Sequence, residues 1–444
     1  MYSEKIEKEL SRLGVKTGDK IRVASGNAIE EGILMPRPEI GDNGILVIKR
    51  KDGYNIGIRF EGTKVEKIEE NGNKASPAKK IYKEKLPTHL PKVKILYTGG
   101  TIGSKTDYLT GGVNVLVSSS ELIGEIPELA DIAEIDFTEV MRIFSEDMTY
   151  KEWKIIAEKI ADSFNGGASG VIITIGTDTM HYASAAISFM LQNLNGPVVF
   201  TGAQRSPDRG SSDAFMNLIC SARIASESDI AEVGICMHQS SSDDACSFIR
   251  GTKARKMHTT KRDVFKPVNN SPIASVSHDG RISYISDYAK KVEDSKKVVA
   301  LTGYEPKVAL IKITPNSDPT ILDFYAEKGY KGIILEGTGM GHTAVLTQHK
   351  EYSWLESIKK AISKGMIIGM TSQCIYGRTN PRVYATARIL SNAGVVYCND
   401  MLPEVAFVKL GFLLGNYKPE EARELLDKNL RGEITERSEY DWFE

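Results

Sequence analysis

Cysteine is scarce in this chain and carries no pairing pattern: Cys220, Cys236, Cys246, Cys374 and Cys398 are odd in number and never spaced as CxxC. Neither a disulfide framework nor a cysteine zinc site is indicated by that spacing, and buried free thiols are the expectation. Charge of one sign is equally lacking. Fifty-seven Lys and Arg against 58 Asp and Glu leave a formal net charge of −1, so the chain as a whole offers no field for holding nucleic acid or an anionic membrane. Long apolar runs are absent, and the opening Met1 to Lys8 alternates charges without the apolar core of a signal peptide; the expected location is cytoplasmic, with no membrane partner. The seven histidines show no HExxH or paired-ligand spacing, so no metal site is expected. No GxxxxGK[ST] loop occurs, and no internal period argues for a solenoid.

What is present divides into three textures. A length of 444 residues exceeds one hydrophobic core and predicts two or three domains. Residues 4 to 13 have the spacing of a short amphipathic helix, with Ile6, Leu10 and Leu13 on one face. Short β-rich segments follow around residues 20–23, 32–35, 44–48 and 54–58, separated by Gly, Asp, Asn and Pro; they predict a small β-barrel or β-roll domain over 1–85. The polar stretch 71–80 reads as a linker. From Val93 the pattern becomes apolar runs of strand length alternating with helical segments. Strands are predicted at Val93 to Tyr97, Val171 to Ile175, Val198 to Phe200 and Val233 to Met237, with helices at Trp153 to Phe164 and Ala183 to Leu194. Continuous apolar strands are expected where a parallel sheet is covered on both faces. An open α/β domain over 92–300 is therefore predicted. A weaker segment, Asp279 to Lys297, predicts a hairpin and a connection. Further strands at 308–313, 332–335, 366–370 and 395–397 predict a smaller α/β domain over 305–444.

In open α/β sheets, ligands collect beyond the carboxyl ends of the strands, so the residues just after each strand carry the functional reading. The first exit is Thr98-Gly99-Gly100-Thr101 and the next Gly176-Thr177-Asp178-Thr179-Met180; a third, Thr201 to Ser206, adds another polar loop. The glycine spacing departs from the dinucleotide fingerprint GxGxxG, and residues 104–112 lack the apolar helical period that fingerprint requires. Hydroxyl chemistry fits better. Glycines at 99 and 100 let backbone N–H groups approach a substrate carbonyl, and Thr101 supplies an oxygen whose χ1 is restricted by β-branching. Thr177 is placed to relay a proton to a base, for which a desolvated lysine is suited. Simple turn chemistry at Thr-Gly and a helix cap at Asp178-Thr179 stay open beside this reading.

Together these residues resemble a known family. TGGTI at 98–102 and GTDTM at 176–180, each after a buried strand, are similar to the two signatures of the bacterial-type L-asparaginase and glutaminase superfamily. The stretch Arg250 to His258 resembles its lysine segment, and Ser145-Glu146-Asp147-Met148 falls where the superfamily has its substrate-binding serine. The resemblance covers about residues 92 to 415. It implies an asparaginase-like body of two α/β domains with Thr101 as nucleophile and Thr177, Asp178 and Lys256 in support. It also implies Tyr108 as the loop tyrosine assisting Thr101, and Ser145, Glu146, Gly100 and Asp178 at the substrate. Glu146 stands where several free asparaginases have glutamine or aspartate, and Gln373 to Asn380 lacks the acidic residue that a neighbouring subunit contributes in those enzymes.

The front domain, together with Thr201 to Arg209, Glu336 to His342 and Met401 to Glu404, resembles a narrower family, the D subunits of archaeal glutamyl-tRNA(Gln) amidotransferases. That resemblance implies release of ammonia from an amide donor, no cofactor in this chain, and ATP with magnesium on a partner E subunit that amidates glutamyl-tRNA(Gln). It also implies a homodimeric core within a D2E2 heterotetramer. Two other readings stand beside it: a free-standing asparaginase or glutaminase, and a catalytically silent scaffold whose front domain docks tRNA or protein. The basic cluster Lys253, Arg255, Lys256, Lys261 and Arg262 is read as a solvated loop holding one catalytic lysine rather than as an RNA patch. His181 and His258 are read as packing or hydrogen-bonding residues, and the apolar Leu390 to Leu414 as core or subunit interface.

Overall fold

The computed structural model describes residues 2–26, 28–36, 43–50, 55–69, 90–100, 102, 104–106, 113–115, 126–207, 211–292 and 296–438. At the front, strands Lys20–Ser25, Ala28–Leu34, Ile45–Lys49, Asn55–Arg59 and Thr63–Glu69 form one antiparallel sheet in which the last strand returns to pair beside the first. The helix Glu4–Arg12 lays Ile6 and Leu10 onto it, against Ile21, Val23, Leu34, Leu46 and Ile48. Alternation of buried and exposed residues along Lys20–Ser25 gives this small core its apolar face. The sequence marked four of these strands. Thr63–Glu69, with charges at 64, 66, 67 and 69, carried too weak an alternation.

The body is an eight-stranded sheet. Five strands run parallel in the order Glu134–Glu139, Lys92–Tyr97, Gly170–Thr174, Val198–Thr201, Val233–His238, and three antiparallel strands extend it: Ala245–Arg250, Ala274–Ser277 and Ile282–Tyr284. Gly170–Thr174, Val198–Thr201 and Val233–His238 are buried at every position, as strands covered on both faces must be. The hairpin predicted over Asp279 to Lys297 lies earlier, at 274–284, because Asp279-Gly280 is its turn rather than its beginning.

Helices sheath both faces. Tyr150–Asn165 opens with a reciprocal cap, Glu152 accepting from the Thr149 N–H at 2.8 Å and Lys151 N–H donating to Thr149 at 3.3 Å. It buries Trp153, Ile156, Ala157, Ile160 and Ala161, one stripe at helical spacing, and ends at Gly166. Met180–Met190 is buried almost all round, being sandwiched between the sheet and the helix Pro403–Asn416. It starts three residues earlier than the apolar pattern predicts and stops at Met190, where Leu191–Gln192 turns extended to pair with Val299–Ala300. The second α/β unit is a four-stranded parallel sheet, Val308–Lys312, Gly332–Gly337, Ile367–Ser372 and Val396–Tyr397. Val405, Ala406, Leu410 and Phe412 join the core of the larger sheet to it. Among the described residues no helix is long and apolar enough to cross a membrane.

Candidate active site

Numbered by chain order, the five parallel strands run 2-1-3-4-5 across the sheet. The chain reverses direction across the sheet between the first and third strands, the place where open α/β sheets hold ligands in a crevice beyond the carboxyl ends of the strands. Lys92–Tyr97 and Gly170–Thr174 are those two strands, with Tyr97 opposite Thr174. The loops beginning at Thr98 and Ile175 therefore start at one level. Glycine then draws them together. Gly99 and Gly100 have φ of 136° and 81°, values an L side chain rarely adopts. A Cβ at Gly99 would lie 2.2 Å from the Ile143 carbonyl oxygen, and one at Gly100 would lie 2.8 Å from that of Ile175. The first loop is thus wedged between the second loop and the segment 143–147. Thr98 faces inward: fully buried, its hydroxyl donates to the Thr174 carbonyl at 3.0 Å.

Lys256 arrives from the antiparallel half of the molecule, at the end of strand Ala254–Lys256, which pairs with Phe265–Pro267. Its Nζ donates to Thr177 Oγ1 at 2.9 Å and to Asp178 Oδ1 at 2.5 Å. The lysine side chain is 11 % exposed whereas that of Asp178 is 67 % exposed, so the ammonium is sheltered and the carboxylate presents itself to the crevice. Thr177, Asp178 and Lys256 are brought together. Their separation of 78 and 79 positions along the chain makes this convergence a property of the fold. Chemically, a hydroxyl within hydrogen-bond reach of an amine, itself neutralised by a carboxylate, is an arrangement that can pass a proton between a substrate and a side chain.

Ser145 and Glu146 lie in a short 3-10 turn, Ser145–Asp147, with Ser145 buried and its hydroxyl 3.4 Å from Glu146 Oε2. This turn belongs to the same rim. A Cβ on Gly176 would meet the Ser145 side chain at 3.0 Å, and Thr179 Oγ1 donates to the Ser145 carbonyl at 2.5 Å. The helix-cap reading of Thr179 is therefore corrected: it precedes Met180–Met190 but makes no side-chain cap, because its hydroxyl is spent on the neighbouring loop. Tyr97 donates to the Gly100 carbonyl at 3.3 Å, and burial pushes its phenol up to about 12. Gly100 is thereby placed at the crevice, while Thr101 and Tyr108 lie outside the described residues.

The third strand exit is held by a network the sequence did not disclose. Asp213 accepts from the backbone N–H groups of Gln204 and Arg205 at 2.9–3.0 Å. Asn217, one turn later, donates to Asp213 and to the Gly202 carbonyl, and its oxygen faces Nδ1 of buried His238 at 2.6 Å. Asp213 and Asn217 stand four apart at the head of the helix Ala214–Glu227, and that spacing is the one signal that would have marked them. The basic cluster is corrected as well. Lys253 is buried against Asp400 at 2.7 Å, Arg262 pairs with Asp243 at 2.5 Å, and Arg255 stands 3.4 Å from buried Glu404 as an electrostatic neighbour without a hydrogen bond. A wholly solvated loop would not bury Lys253 beside a carboxylate or half-bury Arg255 and Arg262 beside two more; only 257–261 are exposed throughout. His181 is buried, and its pKa falls to about 4, first through desolvation and then through Arg255 and Lys256, with Asp178 opposing. The thiols are free, but Cys374 is exposed, unlike the other four. Among the described residues no group of three or more His, Cys, Asp or Glu is arranged around a metal site.

Comparison with known proteins agrees with this architecture. Residues 92–289 match the family model for the asparaginase N-terminal domain, 307–426 that for the glutaminase/asparaginase C-terminal domain, and 15–68 the GatD N-terminal domain. The chain is 46 % identical over 97 % of its length to the glutamyl-tRNA(Gln) amidotransferase D subunit of Pyrococcus furiosus, covering 98 % of that protein. It is 42 % identical over 98 % of its length to the corresponding D subunit of Methanopyrus kandleri, covering 94 % of it. Among solved structures, the thermostable L-asparaginase of Thermococcus kodakarensis matches with a TM-score of 0.68 at 28 % identity, over 78 % of this chain and all of that one. L-asparaginase I of Vibrio cholerae matches with the same TM-score, identity and coverage.

Proposed function

We propose, from the premise that this chain belongs to the D-subunit family of glutamyl-tRNA(Gln) amidotransferases, that it is the glutaminase of its complex. In this reading it releases ammonia from the side-chain amide of glutamine, or of asparagine, and a partner E subunit uses that ammonia, with ATP and magnesium, to convert glutamyl-tRNA(Gln). The observation that carries the reading is the contact of Lys256 Nζ with Thr177 Oγ1 and Asp178 Oδ1 at the switch-point crevice. Beside a hydroxyl nucleophile a relay of that kind takes up the proton when Lys256 is in its neutral amine form.

Thr101, which follows Gly100 in the chain, is the nucleophile. Its oxygen attacks the amide carbon while its proton moves through the hydroxyl network toward Lys256, and backbone N–H groups at the glycine turn stabilise the oxyanion. Collapse expels ammonia, protonated on nitrogen by the same network, and leaves a threonine ester. Water then attacks the ester carbon, giving glutamate and free Thr101. Asp178, largely exposed, receives the α-ammonium of the substrate. Ser145, Glu146 and Gly100 frame its carboxylate end, and Tyr108 assists Thr101. Two such chains forming the core of a D2E2 heterotetramer, in the cytoplasm, complete the proposal.

The test is ammonia release from glutamine by the purified chain, alone and then with the E subunit and glutamyl-tRNA(Gln). Thr101→Val, Thr177→Val, Asp178→Asn and Lys256→Met are each expected to lower kcat by about 100-fold or more while the protein stays folded, the scale of loss when a nucleophile or proton-transfer group is removed. A folded Thr101→Val protein with normal turnover overturns the assignment. High activity toward free asparagine, unaffected by partner or tRNA, identifies a free-standing asparaginase instead.

A further inference from the structure

The two residues that precede the strand carrying Lys256 are both tied to segments far along the chain. Thr252 Oγ1 donates to the Arg431 carbonyl at 3.0 Å. Lys253 Nζ meets Asp400 Oδ2 at 2.7 Å, with side chains 1 % and 0 % exposed. Burial lowers the pKa of Lys253, and the Asp400 carboxylate works against that. The same aspartate grips the segment that follows residue 430: its Oδ1 accepts from the Thr435 N–H at 3.0 Å and its Oδ2 from the Thr435 hydroxyl.

That segment, residues 430–438, is a strap across both α/β units. Arg431 donates to the carbonyls of Ser188 and Leu191, at the end of the helix Met180–Met190, at 2.9 and 3.1 Å. Glu433 pairs with Lys409 of the helix Pro403–Asn416 at 2.7 Å, both side chains fully buried. Arg378 donates to the Thr435 and Glu436 carbonyls and to Ser438.

The strand Ala254–Lys256 has three residues and one β partner, Phe265–Pro267. A two-stranded ribbon that short does not hold its own place in water. Strand residues advance about 3.3 Å each, so a one-residue slip would turn Lys256 to the opposite face and carry Nζ out of its 2.9 Å contact with Thr177. Ala254, Phe265 and Val268, buried in the main core, hold the ribbon down, and the ties at Thr252 and Lys253 fix where it begins.

We propose that Lys253 and Asp400, locked by Thr435 of the strap, are positioning residues that set the place of Lys256 against Thr177 and Asp178. The catalytic consequence rests on Lys256 acting in ammonia release as proposed above; the geometric consequence does not. The experiment uses the full chain with its partner subunit and the variants Asp400→Asn, Thr435→Val and Thr435→Ser, with Lys256→Met as reference. Two readouts are taken: kcat and KM for ammonia release, and the rate at which the Lys256 amine is labelled by an acylating reagent, followed by peptide mass spectrometry.

In Asp400→Asn, kcat falls about 10- to 100-fold with KM within about twofold, the pattern of a lost transition-state interaction, and Lys256 is labelled faster because its sheltered amine is released. Thr435→Val moves both readouts in the same directions by less, and Thr435→Ser restores them. Wild-type labelling and wild-type kcat in folded Asp400→Asn and Thr435→Val overturn the proposal. So does a loss of activity that follows the unfolded fraction while Lys256 labelling stays unchanged, which is what a merely structural pair would give. If Asp400→Asn does not fold, Thr435→Val against Thr435→Ser decides. Full ammonia release by Lys256→Met would refute the reading of the site, and the labelling rates would still decide the positioning.

Discussion

At the scale of single residues, the crevice owes its electrostatics to what is buried behind it. His181 packs its ring against Tyr182 and Phe265, and no described group partners its Nδ1. With a folded pKa of about 4 and an unfolded value near 6.5, the ring is neutral in the native protein while the unfolded chain takes up a proton as the pH drops below about 6.5. The folded pKa is the depressed one for a base, so stability rises with pH between about 4 and 6.5 and is lost on acidification through that window. The loss from pH 7 to pH 5 is about 2 kcal/mol from this group. Urea unfolding at the two pH values is expected to show that fall, and His181→Leu to remove most of it; an equal fall in the variant would contradict the assignment. Thr177, Asp178 and Lys256 were legible in the sequence because each belongs to a short local signature. Lys253 and Asp400 were not, since a buried pair across 147 positions leaves no periodicity and reads as ordinary surface charge.

At the scale of elements, the parallel strands were readable because strands covered on both faces must be continuously apolar. The ribbon formed by Ala254–Lys256 and Phe265–Pro267 was not, because three residues are too few to show a period of two. The rim of the crevice is tied by a backbone bond from Ile143 N–H to the Thr98 carbonyl at 3.2 Å and by one side-chain bond, that from Thr179 Oγ1, ahead of the helix Met180–Met190, to the carbonyl of Ser145. Breaking the side-chain bond frees the Ser145–Asp147 turn without touching Lys256. Thr179→Val is therefore expected to raise KM for glutamine about fivefold, the worth of one hydrogen bond of about 1 kcal/mol, with kcat nearly unchanged. Steady-state kinetics checks this, and a fall in kcat at constant KM would show that the turn serves the chemical step instead.

At the scale of the molecule, the β-rich front domain keeps its own small core, while the two α/β units, each with a cluster of its own, are joined by a third that is threaded by the helix Pro403–Asn416 and closed by the strap. The strap was not legible in the sequence, since Leu430 to Ser438 has no apolar periodicity. Lys409 and Glu433 are fully buried together, and burial pulls the Lys409 pKa down against the pull of Glu433. Removing one partner strands a cation in the interior. Glu433→Gln is expected to cost about 3–5 kcal/mol and to lower Tm by roughly 5 °C or more, with Lys409→Met added in the same chain recovering much of the loss. Thermal unfolding of the single and double variants measures it, and a Glu433→Gln protein that melts like wild type would show that the pair contributes nothing.

Because the strap follows Asp178 and Lys256 in the polypeptide, it leaves a ribosome after both of them. A nascent chain that has already emerged through those two residues still lacks Glu433 and Thr435, so the clamp on the lysine strand closes only later in synthesis. Order of translation thereby fixes an order of assembly, in which the lysine strand is made before the segment that grips it.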